Sequence, residues 1–282
     1  MVVTEPGVYR GLDEATYHAD PTEDGSLSVS GAKVLLDCPA KFDWQRNNPT
    51  PPRDVFDFGH AAHAVVLGVG LDVDVIEFDS WRSSKAQQAK KDAHAAGRTP
   101  LLAHDWAKVQ AMAAALERHE LARSLLSGSG EAEVSLFARD WSGVMLRGRV
   151  DWLPEPSDHM TVPDYKTAAS ADPNVLPKAF ADFGYYMQAA WYSDLVTGLG
   201  LASSVEFVFV VQEKDPPHEV SVVRLEDEDV AIGRYRNRQA VDLYVECMEA
   251  GVWPGYGDEM HRIQLPGWFR RRFDGIELEV AL

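Results

Sequence analysis

The sequence predicts a mixed α/β (α+β) fold in which a central mixed β-sheet is flanked by helices. Three observations support this fold class. Apolar residues alternate at a period of two in five segments, which is typical of half-buried strands. These segments are 131–139, 143–152, 161–166, 204–212 and 218–225. Apolar residues at helical spacing predict helices at about 104–126, 183–199 and 227–250. The 282 residues are 45% hydrophobic, which is enough for one substantial core.

The N-terminal half is predicted to be irregular at first and then helical. Residues 1–30 are expected to be loop-rich with short extended pieces. Helices are predicted at 29–47 and 55–68, separated by the breaker 49-PTPPRD-54. In the C-terminal half, 140-DWSG-143 marks the turn of a first hairpin, and the last two strands form a second one.

The charge and the cysteine content restrict the classes of function. A formal net charge of −17 repels nucleic acid and attracts cations. Basic residues are nevertheless concentrated in 81-WRSSKAQQAKKDAHAAGR-98 and 268-WFRRRF-273, which could hold a phosphate backbone. Two cysteines, Cys38 and Cys247, are too few for a disulfide framework, an iron–sulfur cluster or a zinc ribbon.

The N-terminus and the hydropathy pattern bear on where the protein acts. The N-terminus has no basic region followed by an apolar one, as a signal peptide would have. No apolar run reaches the length that a bilayer requires. We therefore expect a soluble cytoplasmic protein with no membrane partner.

Two aspartates and a lysine lie on neighbouring predicted strands. Asp164 and Lys166 share one face of strand 161–166, and Asp151 follows a strand-like run. If these strands pair, Asp151 can approach Asp164, and one of two close carboxylates is driven to protonate unless a cation sits between them. Such oxygen ligands suit Mg²⁺ or Mn²⁺, and a lysine beside the ion can orient or deprotonate an attacking water. Taken alone, an Asp-x-Lys pair is more often a solvated strand face or a surface ion pair.

Other residues could complete such a site. His60 and His63 lie three apart on a predicted helix, so one of them could reach a metal ion. A histidine on such a helix is more often an ordinary core or surface residue. Glu133 lies near the start of the first hairpin arm, where a solvated strand residue is the simpler interpretation. Gln188 lies in an aromatic helical stripe with Tyr192; such stripes usually belong to the core, but a buried amide needs partners.

The joint pattern resembles a known superfamily. Five motifs occur in order, and they are Gly59 to His63, Glu133, Gly148 to Asp151, Asp164 to Lys166, and Gln188 to Tyr192. This order resembles the PD-(D/E)XK nucleases of the RecB and lambda-exonuclease type. The resemblance is closest to the RecE-type (exodeoxyribonuclease VIII-like) exonucleases of phages and prophages. The stretches 27-LSVSGAKVLLDCPAKF-42 and 251-GVWPGY-256 extend it over about residues 7 to 257.

The resemblance implies roles for individual residues. The implied catalytic residues are Lys166, Asp151, Asp164, Glu133 and Gln188. The implied ligands of one or two Mg²⁺ or Mn²⁺ ions are His63, Asp151, Asp164, Glu133 and the backbone carbonyl of Tyr165. Many relatives carry glutamate where this chain has Asp164, and the shorter side chain would shift the ion. The role of His60 stays open.

The resemblance also implies a domain plan and DNA contacts. Residues 1–282 would form one nuclease domain with a PD-(D/E)XK core at 55–257. Residues 1–54 would form an embellishment where DNA enters, about 80–127 a helical insertion, and 258–282 a tail. The implied DNA contacts are Ser28, Ser30, Arg82, Lys85 and Tyr192. The pattern 269-FRRRF-273 could lie on an oligomer or DNA surface, or be an ordinary solvated tail.

The implied function is metal-dependent hydrolysis of linear double-stranded DNA, from 5′ to 3′, in phage-type recombination within a bacterial host cell. Similar enzymes form homo-oligomeric rings, so a trimer or tetramer and a single-strand annealing protein are expected partners. Alternatives are a single-strand-specific or structure-trimming nuclease, a non-catalytic DNA-binding module on this fold, and an unrelated metal phosphodiesterase. The presence of Asp151, Asp164 and Lys166 together favours activity over a decayed module.

Overall fold

The computed structural model describes residues 2–48, 54–68 and 72–274. The strands are β1 (Gly7–Tyr9), β2 (Ser26–Ser28), β3 (Val73–Ile76), β4 (Thr99–Leu102), β5 (Gly130–Arg139), β6 (Met145–Pro154), β7 (His159–Ala168), β8 (Ser204–Glu213) and β9 (Val220–Arg224). The helices are α1 (Glu14–His18), α2 (Val29–Asp37), α3 (Pro39–Asn47), α4 (Asp54–Leu67), α5 (Ser84–Ala95), α6 (Ala103–Arg118), α7 (Glu120–Ser127), α8 (Leu176–Asp182), α9 (Tyr185–Gly198), α10 (Asp227–Ala250) and α11 (Gly267–Arg270). A 3₁₀ turn follows at Arg271–Phe273.

Mixed sheets flanked by helices confirm the predicted fold class. Within the described residues, one sheet has the order β1-β5-β6-β2, with an antiparallel hairpin and a parallel β2–β6 pair. A second sheet has the order β7-β8-β9, in which β7 and β8 are parallel. The parallel pair is joined through α8 and α9, the kind of crossover that parallel strands need.

Helices cover both faces of the sheet that contains β7 and β8. On one face, Val162 and Phe209 belong to the main core with residues of α2, α9 and α10. On the other face, Tyr165 and Val210 pack with α4, α6 and α7. Side chains of successive strand residues point to opposite faces, so each strand contributes to both cores. This arrangement buries β7 on both sides from Val162 to Tyr165.

Two helices that were predicted as continuous are each divided in two. The helix expected at 29–47 breaks at Cys38, whose backbone is extended (φ −166°, ψ 115°), and α3 begins at Pro39. Proline disfavours a helical conformation in the residue before it but fits the first helical position. The helix expected at 104–126 breaks at His119, whose Nδ1 accepts a hydrogen bond from Ala122 N at 3.2 Å. That histidine therefore caps a new helix, α7.

Other boundaries lie close to their predicted positions. The helix α10 spans the expected 227–250, and the two hairpins lie where the alternation placed them. The helix predicted at 183–199 begins at Tyr185, after Gly184 in a left-handed conformation (φ +63°). The basic segment 81–97 contains α5, and the strands β3 and β4 were not predicted. In the part of the chain that is described, no helix is long and apolar enough to cross a membrane.

Candidate active site

The strand β7 positions the acid–lysine pair. Asp164 is 2% exposed, and its Oδ2 lies 2.5 Å from Nζ of Lys166 on the same face. The other oxygen, Oδ1, accepts a hydrogen bond of 2.7 Å from Nε2 of Gln188 on α9. The buried amide of Gln188 therefore has a carboxylate partner, and the carboxylate is fixed from two sides. The alternation along β7 had predicted the shared face of Asp164 and Lys166.

The hairpin of β5 and β6 brings two further carboxylates together. The register pairs Ala132 with Trp152 and Val134 with Val150, so Glu133 stands opposite Asp151. Like charges directly opposite each other on paired strands are destabilising. Glu133 also has a left-handed backbone (φ +54°), which costs energy for a residue other than glycine and is often found at functional sites.

Asp151 connects the hairpin to β7. Its Oδ2 accepts a hydrogen bond of 2.6 Å from the backbone N–H of Tyr165, the residue between Asp164 and Lys166. The sequence analysis expected that pairing of the strands β6 and β7 would let Asp151 approach Asp164. Among the described strands they belong to separate sheets, and this side-chain-to-backbone bond joins them instead. The aspartate ends up 9% exposed beside the acid–lysine pair.

His63 on α4 completes a group of residues that fits a divalent cation. Its Nδ1 lies 3.7 Å from Oδ2 of Asp151, and its ring packs edge-on against Tyr165 with centroids 5.1 Å apart. His63, Glu133 and Asp151 each offer one ligand atom, and these atoms all lie within 4.8 Å of one another. Carboxylate oxygens suit Mg²⁺ and Mn²⁺, and the imidazole nitrogen of His63 adds a third ligand atom to the group.

The sequence had predicted a larger set of metal ligands. Asp164 lies outside the three-residue group and its two oxygens face Lys166 and Gln188, so its role as a metal ligand stays a prediction. The backbone carbonyl of Tyr165 stays a prediction. The side chain of His60 lies outside the described residues.

Burial and crowding shift the pKa values of these groups. Burial raises the pKa of Glu133 to about 7, and the charge of Asp151 is the second cause. Burial likewise raises the pKa of Asp164 to about 6, opposed by Lys166 and assisted by Asp151. Burial also raises the pKa of Asp151 above its ordinary value. Burial is the first cause of all three raised pKa values, and it outweighs the nearby charges of Lys166 and Arg149. A cation bound among these carboxylates would favour their ionised forms.

Lys166 stays charged in this surrounding. Burial alone would lower its pKa, but the charges of Asp164 and Asp151 raise it above the ordinary value. Its ammonium also lies 5.6 Å from the ring centroid of Tyr185, where a cation is attracted to the aromatic face. At neutral pH the side chain of Lys166 is therefore an ammonium ion that donates hydrogen bonds, rather than a neutral amine that could accept a proton.

Lys33 on α2 lies beside the same group, and the sequence analysis missed it. Its Nζ donates a hydrogen bond of 2.8 Å to the carbonyl of Phe183 and lies 5.8 Å from the ring centroid of Tyr185. Burial, followed by the charge of Lys166, lowers the pKa of Lys33 to about 8. A Cβ on Gly184 would come within 3.1 Å of the Lys33 side chain, so glycine leaves room for it. Lys33 lies in the stretch 27–42, which is part of the family resemblance, and this position could have indicated a role for it. The sequence analysis chose only Ser28 and Ser30 from that stretch as DNA contacts.

The residues that were predicted to contact DNA differ in their exposure to solvent. Ser28 caps α2 by accepting a hydrogen bond from Gly31 N at 3.1 Å, whereas Ser30 is exposed. Arg82 and Lys85 are exposed before and on α5. Tyr192, also expected to contact DNA, instead lies in the core.

Packing explains the position of Tyr192. It is 8% exposed, and its ring stacks on Phe207 with centroids 5.6 Å apart. It also packs so closely against Gly148 that a Cβ there would overlap its ring. The side chain therefore has no face for a DNA phosphate.

The fold and the acid–lysine arrangement together define a protein of the PD-(D/E)XK-like class. Residues 28–266 match the family described as a PDDEXK-like domain of unknown function (DUF3799), and the chain belongs to this family. No curated protein matches the chain. Solved structures with similarity include a crystal structure from Eubacterium rectale described as a “Putative exonuclease”. It is 15% identical, has a TM-score of 0.63 and is matched over 97% of each chain, which shows a shared fold.

Proposed function

We propose that this protein is a metal-dependent deoxyribonuclease that hydrolyses phosphodiester bonds. The observation that carries the proposal is the convergence of His63, Glu133 and Asp151 with the buried pair of Asp164 and Lys166. Two carboxylates opposite each other in a half-buried site lower the stability of the metal-free protein, so the arrangement favours binding of a cation. A lysine next to such a site supports hydrolysis of a phosphate ester over simple metal storage.

The chain's own residues have separable tasks in this proposal. His63, Glu133 and Asp151 would hold Mg²⁺ or Mn²⁺. When bound, such an ion would lower the pKa of a water and would neutralise charge on the phosphate. Lys166, charged at neutral pH, donates a hydrogen bond to the attacking water or to a phosphate oxygen. Asp164 holds the ammonium of Lys166, and Gln188 prevents that carboxylate from rotating away. Such fixed charges stabilise a transition state without reorganising.

The finer proposal concerns the substrate and its direction. We propose that the substrate is linear double-stranded DNA and that digestion proceeds from 5′ to 3′, as the resemblance to RecE-type exonucleases implies. The similarity to the Eubacterium rectale protein, whose description names an exonuclease, supports action at strand ends. A homo-oligomeric ring and a single-strand annealing protein belong to the same proposal. A ring would keep a chain of net charge −17 on DNA through topology rather than through a basic surface.

End-labelled DNA tests this proposal. A linear duplex, labelled at the 5′ end of one strand or at the 3′ end of the same strand, is incubated with Mg²⁺, Mn²⁺ or chelator. Early release of the 5′ label, with the 3′ label retained, is the expected result. Early release of the 3′ label would contradict the direction, and preference for a matched single strand would contradict the substrate. A covalently closed circle is the control, because an exonuclease leaves it intact.

A further inference from the structure

The junction between α8 and α9 carries an aromatic side chain that projects into solvent. Phe183 follows the last residue of α8 and is 62% exposed. The nearby Phe180 is 5% exposed, and its ring packs edge-on against Tyr185. Phe183 also contacts the ring of Tyr185, but its outer face is open to solvent. A single exposed apolar residue is ordinary on a protein surface, so the surroundings of Phe183 decide whether it has a role.

The backbone that carries this exposed ring is held in place by hydrogen bonds. The N–H of Phe183 donates to the carbonyl of Ala179 at 2.9 Å, and the N–H of Gly184 donates to the carbonyl of Ala181 at 3.2 Å. The carbonyl of Phe183 accepts a hydrogen bond of 2.8 Å from Nζ of Lys33 on α2. Because the backbone is already ordered, a ligand that binds the ring need not order the junction first.

Measured distances place the exposed ring next to the candidate active site. The ring centroid of Tyr185 lies 5.7 Å from that of Phe183 and 5.6 Å from Nζ of Lys166. The Phe183 ring is therefore within about 11 Å of Nζ of Lys166, which is roughly three base steps of about 3.4 Å along one DNA strand. A strand whose phosphate contacts Lys166 would have its nearest bases within reach of Phe183.

The charges around the junction are compatible with a nucleotide. Nζ of Lys33 uses one of its three donors for the carbonyl of Phe183, and two donors are left for a phosphate. The carboxylate of Asp182, which precedes Phe183, is paired with the ammonium of Lys178. Sites that bind single nucleic-acid strands combine cationic groups for the backbone with aromatic rings on which bases stack. The junction has both of these components.

We propose that Phe183 stacks on one of the terminal nucleobases of a DNA strand while a phosphate of the same strand contacts Lys166. This inference rests on the proposed function, which makes DNA the ligand of the site. A base at a strand end lacks one of its two stacking neighbours, so the phenyl ring can occupy that place without opening the duplex. Phe183 would then be a positioning residue, because it orients the strand end and does not touch the reacting atoms.

A double-mutant cycle between the ring and the bases tests this contact. Fluorescence anisotropy gives the Kd for a labelled linear duplex with Mn²⁺, and each protein carries Lys166→Met so that the DNA stays intact during the measurement. Phe183→Leu keeps an apolar side chain, whereas Phe183→Trp keeps an aromatic ring. Each modified duplex lacks the base of the first, second or third nucleotide, counted from the 5′ end or from the 3′ end of one strand.

The contact predicts a specific pattern of Kd values. Phe183→Leu should weaken binding of the intact duplex roughly 5- to 100-fold, as the loss of one base–aromatic stack does, and Phe183→Trp should not. One of the duplexes that lacks a base should bind the protein with native Phe183 about as weakly. Phe183→Leu should lose little further affinity for that duplex, because the contact is already missing.

Trp141→Ala is the matched control for the loss of an exposed ring. Trp141 is 83% exposed and lies at the turn of the β5–β6 hairpin. At about 3.3 Å per residue, the six residues from Asp151 to the start of β6 place this turn roughly 20 Å from the candidate site. This variant should therefore bind the duplex with the Kd of the protein that has native Trp141.

Three results would overturn the proposal. One is an equal Kd for the proteins with Phe183 and with leucine in its place. Another is a loss of binding in Phe183→Leu that Phe183→Trp shares, which would indicate a damaged fold. The third is an equal cost of base removal in both proteins at every position, which would leave the ring for a protein partner.

Hydrolysis by the protein with native Lys166 is measured separately, so that failure of this inference and failure of the proposed function can be distinguished. If the ring and a base are coupled but the DNA stays intact, the nuclease proposal fails and the stacking contact stands. If the DNA is hydrolysed but no base is coupled to the ring, the stacking contact fails and the nuclease proposal stands. A protein that binds no DNA contradicts both.

Discussion

Replacing Glu133 by glutamine is expected to stabilise the metal-free protein. The pKa of Glu133 rises from an ordinary value of 4.5 to about 7, so the folded protein disfavours the charged form. At about 1.4 kcal/mol per pKa unit, this rise corresponds to roughly 3 kcal/mol at a pH above 7. The side chain is 35% exposed, and solvent screening reduces the value to about 1–2 kcal/mol.

The pH dependence follows from the direction of this shift. As the pH rises from 4.5 to 7, the unfolded chain loses the Glu133 proton before the folded protein does, so stability falls. The benefit of Glu133→Gln should therefore be absent below pH 4.5 and complete above pH 7. Glu131→Gln on the same strand is the control, because Glu131 is exposed and its ion pair with Arg10 is exposed as well. Such a surface pair contributes little to stability.

The assay is urea unfolding in chelator at several pH values, followed by a thermal shift with added Mn²⁺. The parent should gain more from Mn²⁺ than Glu133→Gln does, because an ion that binds only the folded state stabilises it. The reasoning is refuted if the variant is no more stable than the parent at pH 8 in chelator. It is equally refuted if Mn²⁺ raises both melting temperatures to the same extent.

Three further substitutions separate turnover, substrate binding and packing. Lys166→Met should lower kcat by a factor of about 10²–10⁴. Binding of Mn²⁺, measured by calorimetry, should persist in this variant. If the variant loses Mn²⁺ binding instead, Lys166 is a structural residue. Lys33 lies beside Lys166 and Asp164, and we propose that its ammonium contacts a DNA phosphate. Lys33→Met should then raise KM for DNA about tenfold or more with a smaller change in kcat, since a charge-assisted hydrogen bond contributes about 1.5–3 kcal/mol. An unchanged KM would exclude this contact. Gly233→Ala should cost about 1–3 kcal/mol in urea unfolding, because its Cβ would overlap the carbonyl of Tyr186. Gly198→Ala, with open space around it, is the control and should be nearly neutral.

Local sequence patterns were sufficient to predict which residues share a strand face and where most of the helices lie. Alternation along β7 predicted that Asp164 and Lys166 share a face, and that geometry depends on the backbone alone. The hairpin signal likewise placed β5 and β6, and their antiparallel register sets Glu133 opposite Asp151. Buried polar groups need hydrogen bonds, so a partner for the side-chain amide of Gln188 was expected. The sequence did not indicate that this partner is Asp164.

The remaining features depend on contacts between distant parts of the chain. Lys33 approaches Lys166 only because α2 packs beside the N-terminus of α9, and no local pattern contains that information. The burial of Tyr192 depends on the missing Cβ of Gly148, which lies on another element. Asp151 meets β7 through a side-chain bond to Tyr165 N rather than through strand pairing, and the spacing of residues cannot distinguish these two arrangements.

One measurement tests the central claim most directly, and it is the release of acid-soluble nucleotides from linear duplex DNA. The parent and Lys166→Ala are compared with Mn²⁺, with Mg²⁺ and with chelator, at matched folded concentration. The account predicts release by the parent with a divalent cation, no release in chelator, and release by Lys166→Ala reduced by at least about a hundredfold. Equal release by parent and variant, or intact DNA with either cation, would contradict it.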